Sequence, residues 1–141
     1  MLNQLTVFMQ NREGRLAQLC RTLANAEINM HSLYVADTQD YGVARIFCDT
    51  PSAARKVLNS QGFRATLTPV VAVRVPNEKG GLANLLEFLD AKKINIEYGY
   101  CFSVNQDYAI DVLKVDELGT ERVLEEAGYT IVKKEEIYQR D

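Results

Sequence analysis

The chain has 141 residues, of which 47% are hydrophobic and 25% charged, as expected of a soluble globular protein. Its formal net charge is -3, from sixteen Lys plus Arg against nineteen Asp plus Glu, so nucleic acid and anionic membranes have no electrostatic reason to bind it. No apolar run approaches the ~20 residues that span a bilayer, and no signal peptide is visible, so we expect a cytoplasmic protein.

Few residues are suited to catalysis or metal binding. The three cysteines, Cys20, Cys48 and Cys101, are odd in number and widely spaced, which fits neither a disulfide framework nor a zinc site. The single histidine, His31, belongs to no set of residues with the spacing of a Ser/His/Asp or Cys/His site. No phosphate-binding glycine loop is present. We therefore expect a protein that is not an enzyme and holds no metal or cofactor.

The first half of the chain alternates strand-like and helix-like patterns. Apolar residues recur at every second position over 5–10, which predicts a strand, and a stripe of leucines predicts a helix over about 14–26. Thr50 followed by Pro51 predicts the start of a second helix, which Gly62 would end. The other predicted elements are strands at 28–36, 43–48 and 63–67 and a polar turn at 37–40.

The second half repeats this order. Valines alternate over 71–75, the turn at 76–81 follows, and a second leucine stripe predicts the next helix. The last helix is predicted to end at Gly128. The other predicted elements are strands at 94–103, 108–115 and 129–137 and a turn at 105–107.

A duplication underlies the repeated order. The residues that recur 66 positions later are Asn11, Gly14, Leu16, Ala17, Leu19, Leu23, Ile28 and Asn29, matched by Asn77, Gly80, Leu82, Ala83, Leu85, Leu89, Ile94 and Asn95. So many identities at one offset are far beyond chance and indicate an internal repeat. We therefore predict two modules, 1–68 and 69–141.

Each module has the order strand, helix, strand, strand, helix, strand, which is typical of the ferredoxin-like arrangement. A module of this size buries only ~60% of its unfolded surface, so two should pack together. We predict an α+β protein whose modules lie side by side, with an antiparallel sheet of about eight strands and helices on one face. Because Leu33 and Val35 lie opposite Tyr34, both faces of that strand are apolar, and we expect a homodimer to cover the open face.

The repeated turn has chemistry of its own. A helix N-terminus presents unpaired backbone amides and the positive end of the helix dipole, and a glycine there lets a carboxylate approach the backbone. Asn and Gly are also favoured at such turns without a ligand, so a purely structural role is the alternative. Gly81 follows Gly80, and a second glycine in the first turn of a helix lowers helix stability by up to ~1 kcal/mol relative to Ala. Its presence therefore indicates close approach of a backbone or a ligand. Arg15, at the matching position, could supply a charge to a carboxylate.

The pattern of strand, Asn-x-x-Gly-x-Leu-Ala, helix, Ile-Asn and strand resembles the ACT domain, and the whole chain resembles a small tandem ACT protein. The resemblance implies regulatory modules that bind amino acids or similar metabolites between two modules, at the turn of one and the second strand of the other. The implied turn residues are Asn11, Gly14, Arg15, Leu16, Asn77, Gly80, Gly81 and Leu82. The implied strand residues are Met30, His31, Ser32, Ile96, Glu97 and Tyr98.

Three functions remain open on this basis. The first is a non-catalytic sensor that binds an amino acid. The second is a regulatory subunit that docks in trans on a biosynthetic enzyme, by analogy with small subunits of acetolactate synthase. The third is a ferredoxin-like enzyme or a nucleic-acid module, either of which the fold alone permits. Alternating aromatic residues at Tyr98, Tyr100 and Phe102 would suit RNA binding, but the acidic charge balance opposes it.

Overall fold

The structure is a computed structural model that describes residues 1–37 and 40–138, so the middle of the predicted polar turn at 37–40 lies outside the described residues. The helices are α1 (Arg15–Asn25), α2 (Pro51–Ser60), α3 (Gly81–Ala91) and α4 (Thr120–Glu126), with a 3-10 helix at Lys134–Glu136. The strands are β1 (Leu2–Gln10), β2 (Met30–Asp37), β3 (Tyr41–Cys48), β4 (Arg64–Pro76), β5 (Ile96–Val104), β6 (Tyr108–Val115) and β7 (Thr130–Ile131).

The chain divides into two compact units. The N-terminal unit comprises Asn3–Thr68 with the described residues from Glu135 onward, and the C-terminal unit comprises Pro69–Lys134 with Met1–Leu2. The module boundaries at 1–68 and 69–141 stay a prediction, since the terminal residues group with the opposite half.

In the N-terminal unit the strand order is β2-β3-β1-β4. The pairing is antiparallel, with Leu5 opposite Ile46 and Leu33 on the other side of Ile46. Helices α1 and α2 bury their apolar stripes on this sheet. The core includes Leu19 and Leu23 of α1, Ala54 and Leu58 of α2, and Leu5, Val7 and Ile46 of the strands.

In the C-terminal unit β4 lies between β6 and β7, and β5 follows β6. Its core is built from the matching residues. They include Leu85 and Leu89 of α3, Leu124 of α4, and Val71, Val73 and Leu113 of the strands. The predicted α+β fold class with two ferredoxin-like modules is confirmed.

Two predicted strands are one strand in the structure, so the described strands number seven rather than eight. Residues 64–67 of the first predicted strand and all of 71–75 belong to β4. Pro69 is the one turn-forming residue type between them, and its fixed φ is compatible with an extended chain.

The predicted last strand over 129–137 is much shorter than expected. Strand pairing is limited to Thr130–Ile131, after which the amide of Val132 donates to the carbonyl of Ala72 at 2.9 Å. The polar run that follows lacks alternating apolar residues and forms the short 3-10 helix instead.

The backbone repeats more closely than the side chains do. Six of the seven described residues with a left-handed backbone conformation form three pairs 66 positions apart, one of which is not glycine; the seventh, Gly119, has no counterpart. The pairs, with φ in degrees, are Gly14 (80) and Gly80 (83), Glu27 (59) and Lys93 (60), and Gly62 (86) and Gly128 (94). Both units therefore form the same turns at both ends of their first helix and after their second.

Candidate ligand-binding site

The turn before each first helix leaves backbone amides without intrahelical partners. Gly14 and Gly80 are the N-cap residues of α1 and α3, and neither helix has a side-chain cap. The first intrahelical bonds run from the amide of Gln18 to Gly14 at 3.0 Å and from Asn84 to Gly80 at 2.9 Å. The amides of residues 16, 17, 82 and 83 precede these bonds, so no carbonyl of the helix can accept from them.

The space over both glycines is open. A Cβ built on Gly14 or Gly80 would meet no atom within 4 Å, and both residues are exposed. Glycine is required there by the left-handed φ rather than by crowding. The open space leaves room for a small anion over the free amides.

Asn77 has a clear structural role. Its side-chain nitrogen donates to the carbonyl of Asn105 at 2.7 Å, and its backbone amide donates to the carbonyl of Asp107 at 3.0 Å. In the N-terminal unit the amide of Asn11 likewise donates to the carbonyl of Asp40, at 3.4 Å. Each asparagine thus ties its turn to the neighbouring hairpin.

Arg15 is held within its own unit. Its guanidinium carbon lies 3.9 Å from the centroid of the Phe63 ring. One guanidinium nitrogen donates to Gln18 Oε1 at 2.9 Å, and the other lies 3.4 Å from the carbonyl oxygen of Gly62. The predicted role of Arg15 toward a carboxylate stays a prediction, and it would require the guanidinium to leave these partners.

Gly81 is explained by a backbone contact. A Cβ at this buried position would lie 2.3 Å from the carbonyl oxygen of Pro76, a separation that no side chain tolerates. The second glycine of the turn therefore reflects the approach of a backbone, one of the two alternatives that the sequence left open.

The predicted strand residues lie at two matching irregularities. The pairing of β2 with β3 shifts register between Met30 and Ser32, and the pairing of β5 with β6 shifts between Ile96 and Tyr98. Such β-bulges re-aim side chains and are over-represented beside functional sites.

The bulged residues and their neighbours differ in exposure. His31 is exposed at the first bulge, and Glu97, at the second, makes a 3.4 Å ion pair with Lys114. Met30 and Ile96 pack against the cores of their units, while Ser32 and Tyr98 are half-buried.

Leu16 and Leu82 follow the turn glycines and are apolar yet exposed, at 37% and 48%. Beside the C-terminal part of α3, Ile96 lines a cleft of about 730 Å³ together with Leu86, Asn95 and Lys93. The described turn residues do not line that cleft, so the structure does not bring Ile96 together with the turn of its own unit.

A second cavity, of about 490 Å³, was not indicated by the sequence pattern. It lies in the C-terminal unit and is lined by Arg74, Pro76, Asp107, Tyr108, Gly128 and Tyr129, among others. None of the predicted site residues lines it.

Titratable groups with shifted pKa values lie on β5, β6 and α1. Burial raises the pKa of Asp111 above its ordinary value. Cys101 pairs with Asp111 across β5 and β6, and burial, followed by the charge of Asp111, raises the pKa of its thiol. Burial also raises the pKa of Cys20. Among residues 1–37 and 40–138, no group of His, Cys, Asp and Glu is arranged to hold a metal ion.

The chain is similar to known proteins in both sequence and structure. A sequence model of the ACT domain pair matches residues 1–139. The structure is similar to protein BT0572 from Bacteroides thetaiotaomicron, with 33% identity and a TM-score of 0.86, covering 92% of this chain and 90% of that one. No curated protein matches the sequence significantly.

Two more distant structures share the fold. One is the ligand-free regulatory subunit of aspartate kinase from Thermus thermophilus, with 15% identity and a TM-score of 0.60, covering 79% of this chain and 82% of that one. The other is the same subunit from Thermus flavus, with 17% identity and a TM-score of 0.62, covering 89% and 90%. None of the described helices is long and apolar enough to cross a membrane.

Proposed function

Because the chain belongs to the family of ACT domain pairs, whose modules are regulatory and bind small molecules, we propose that it is a non-catalytic sensor of an amino acid. The observation that carries this proposal is the glycine turn that opens both α1 and α3. It supplies left-handed glycines, unpartnered helix amides and open space in both units.

The ligand's α-carboxylate binds the amides at the start of α1 or α3. Leu16 and Ala17 in one unit, and Leu82 and Ala83 in the other, provide amides that point out of the helix. The positive end of the helix dipole adds to the attraction for an anion. The ligand's ammonium would donate hydrogen bonds to strand carbonyls or to an asparagine side chain. Leu16 or Leu82 offers an apolar contact to the rest of the ligand.

Residues at the two bulges supply the remaining contacts in this proposal. Ser32 and His31 carry polar groups at the first bulge, and Glu97 and Tyr98 carry them at the second. The two proposed sites therefore differ in charge, since the second has the Glu97 carboxylate at the position where the first has the His31 imidazole. The sites need not bind the same amino acid with equal affinity.

We also propose that the protein forms a homodimer. Leu33, Tyr34 and Val35 are consecutive on β2, the last strand in the order of the N-terminal unit, and are 41%, 42% and 41% exposed. Adjacent exposed apolar residues on such a strand favour pairing with another chain. The free thiols of Cys20, Cys48 and Cys101 support a cytoplasmic location.

The test is a thermal and chemical denaturation screen against the twenty amino acids. A ligand at 100 times its Kd should raise the free energy of unfolding by about 2.7 kcal/mol. Gly80→Val should abolish the effect at the C-terminal site because the side chain occupies the space of the carboxylate. If none of the amino acids stabilises the protein, the proposal is wrong.

Gly119→Val is the matched control for backbone strain. Gly119 is the N-cap of α4, has a φ of 88°, and its Cβ would meet nothing within 4 Å. Both variants therefore carry the same conformational penalty, and only Gly80→Val should lose binding. Co-purification of an enzyme with the chain, with no response to any amino acid, would favour the regulatory-subunit alternative.

A further inference from the structure

The two units differ in what lies over the aromatic residue that follows the second helix. In the N-terminal unit this residue is Phe63, and the guanidinium of Arg15 lies over its ring at 3.9 Å. The same guanidinium reaches the carbonyl oxygen of Gly62, 3.4 Å away, and the side chain of Gln18. Phe63 is only 4% exposed and belongs to the core of its unit.

Every member of this arrangement has a counterpart 66 positions later. Tyr129 replaces Phe63, Gly128 replaces Gly62, Asn84 replaces Gln18, and Gly81 stands in place of Arg15. The carbonyl of Pro76 approaches Gly81 so closely that a side chain there would clash. The C-terminal unit therefore keeps the ring and the carbonyl but has lost the cation that covers them.

A cavity of about 490 Å³ is lined by the ring and the glycine that correspond to Phe63 and Gly62. Tyr129 and Gly128, the counterparts of the residues that hold Arg15, line it, as does Pro76, whose carbonyl excludes a side chain at position 81. Tyr129 is half-buried rather than buried. Phe88 contacts its ring at 6.0 Å between centroids and a tilt of 46°, which does not cover a face of the ring as a stacked guanidinium does.

The walls of the cavity carry charges of both signs. Asp107 contributes a carboxylate, and Arg74 contributes a guanidinium that lies 4.9 Å from the centroid of the Tyr108 ring. A cationic group over Tyr129 would be attracted by the π face and by Asp107. A carboxylate on the same molecule would pair with the Arg74 guanidinium in exchange for contacts that this side chain already makes within the protein.

We propose that this cavity binds a small molecule with a guanidinium at one end and a carboxylate at the other, of the class of arginine. The guanidinium takes the place over Tyr129 and Gly128 that the Arg15 side chain takes over Phe63 and Gly62. The carboxylate pairs with Arg74. This site is separate from the glycine turns and does not depend on the function proposed for them.

Isothermal titration calorimetry of the whole chain tests the proposal with three probes. Arginine should bind, agmatine should bind more weakly because it lacks the carboxylate, and citrulline should bind more weakly because its side chain is neutral. Tyr129→Leu should weaken arginine binding about tenfold, whereas Tyr129→Phe, which keeps the π face, should retain it. Arg74→Gln should bring the affinity for arginine down to that for agmatine.

Two controls separate this site from the turns. Gly80→Val should leave the affinity of the cavity for arginine unchanged. Asp40→Asn is the matched control for Asp107→Asn, because the backbone carbonyl of Asp40 accepts from Asn11 as that of Asp107 accepts from Asn77. Only Asp107→Asn should weaken arginine binding. The proposal is overturned if arginine does not bind, if citrulline binds as well as arginine, or if Gly80→Val removes all binding.

Discussion

Replacing Gly81 by alanine should destabilise the C-terminal unit through one backbone contact. The new Cβ would lie 2.3 Å from the carbonyl oxygen of Pro76 and 3.6 Å from Val75 Cγ1. Ordinary contacts between a carbon and a carbonyl oxygen are about 3.3–3.6 Å, so the two segments must separate by about 1 Å. The end of β4 and the start of α3 are both held by the turn between them, because Glu78 donates to Pro76 at 2.9 Å and Gly81 donates to Glu78 at 3.1 Å.

The expected cost is that of overpacking, about 1–3 kcal/mol in the free energy of unfolding. Higher helix propensity would return at most about 1 kcal/mol, and less at this first helical position. Gly42→Ala is the control, since its Cβ would make only an ordinary 3.7 Å contact with Met9. Urea denaturation followed by far-UV circular dichroism measures both variants. If Gly81→Ala costs no more than Gly42→Ala, the close approach of Pro76 does not constrain this position.

Two further predictions concern charged side chains. Arg15→Ala should lower the free energy of unfolding by about 0.5–1 kcal/mol in urea denaturation, because it uncovers the Phe63 ring; an unchanged midpoint would contradict the stacking. Burial raises the folded-state pKa of Asp111, so its ionisation destabilises the fold as pH rises from the ordinary value of 3.8 through that raised pKa. Asp111→Asn should therefore gain stability relative to the parent at pH 7 and lose this advantage below about pH 3.8, and a difference independent of pH would refute the assignment. The same variant should speed alkylation of Cys101 because it removes a neighbouring charge.

The repeat was the strongest guide to the fold. Period-two valines and the leucine stripes located β4, α1 and α3, and the 66-residue offset carried the same order into the second half. Local pattern could not show that the strands predicted at 63–67 and 71–75 are parts of one strand, because Pro69 between them is compatible with a turn as well as with an extended chain. Local pattern also overestimated the length of the last strand, since the polar run after Ile131 gives no positive signal for a short 3-10 helix.

The candidate site was only partly accessible from the sequence. The glycine turn could be predicted because left-handed glycine, helix start and leucine stripe are all local features. The bulges at β2 and β5 depend on pairing with β3 and β6, which no local pattern specifies. The cavity beside Tyr129 is lined by segments far apart in the sequence, around residues 74–76, 107–108 and 127–130, which no local pattern brings together. The sequence linked Gly81 to a close approach, but only the folded structure identifies Pro76 as the neighbour.

The most direct test of the proposed function is an NMR titration of backbone amides with an amino acid that stabilises the protein. The account predicts that the amides of Leu16 and Ala17, or of Leu82 and Ala83, shift most, since they would bind the carboxylate. The amides of Thr120 and Glu121, which follow the left-handed Gly119, should stay unchanged. If the amino acid binds and the turn amides do not move, the ligand does not bind at the repeated glycine turns.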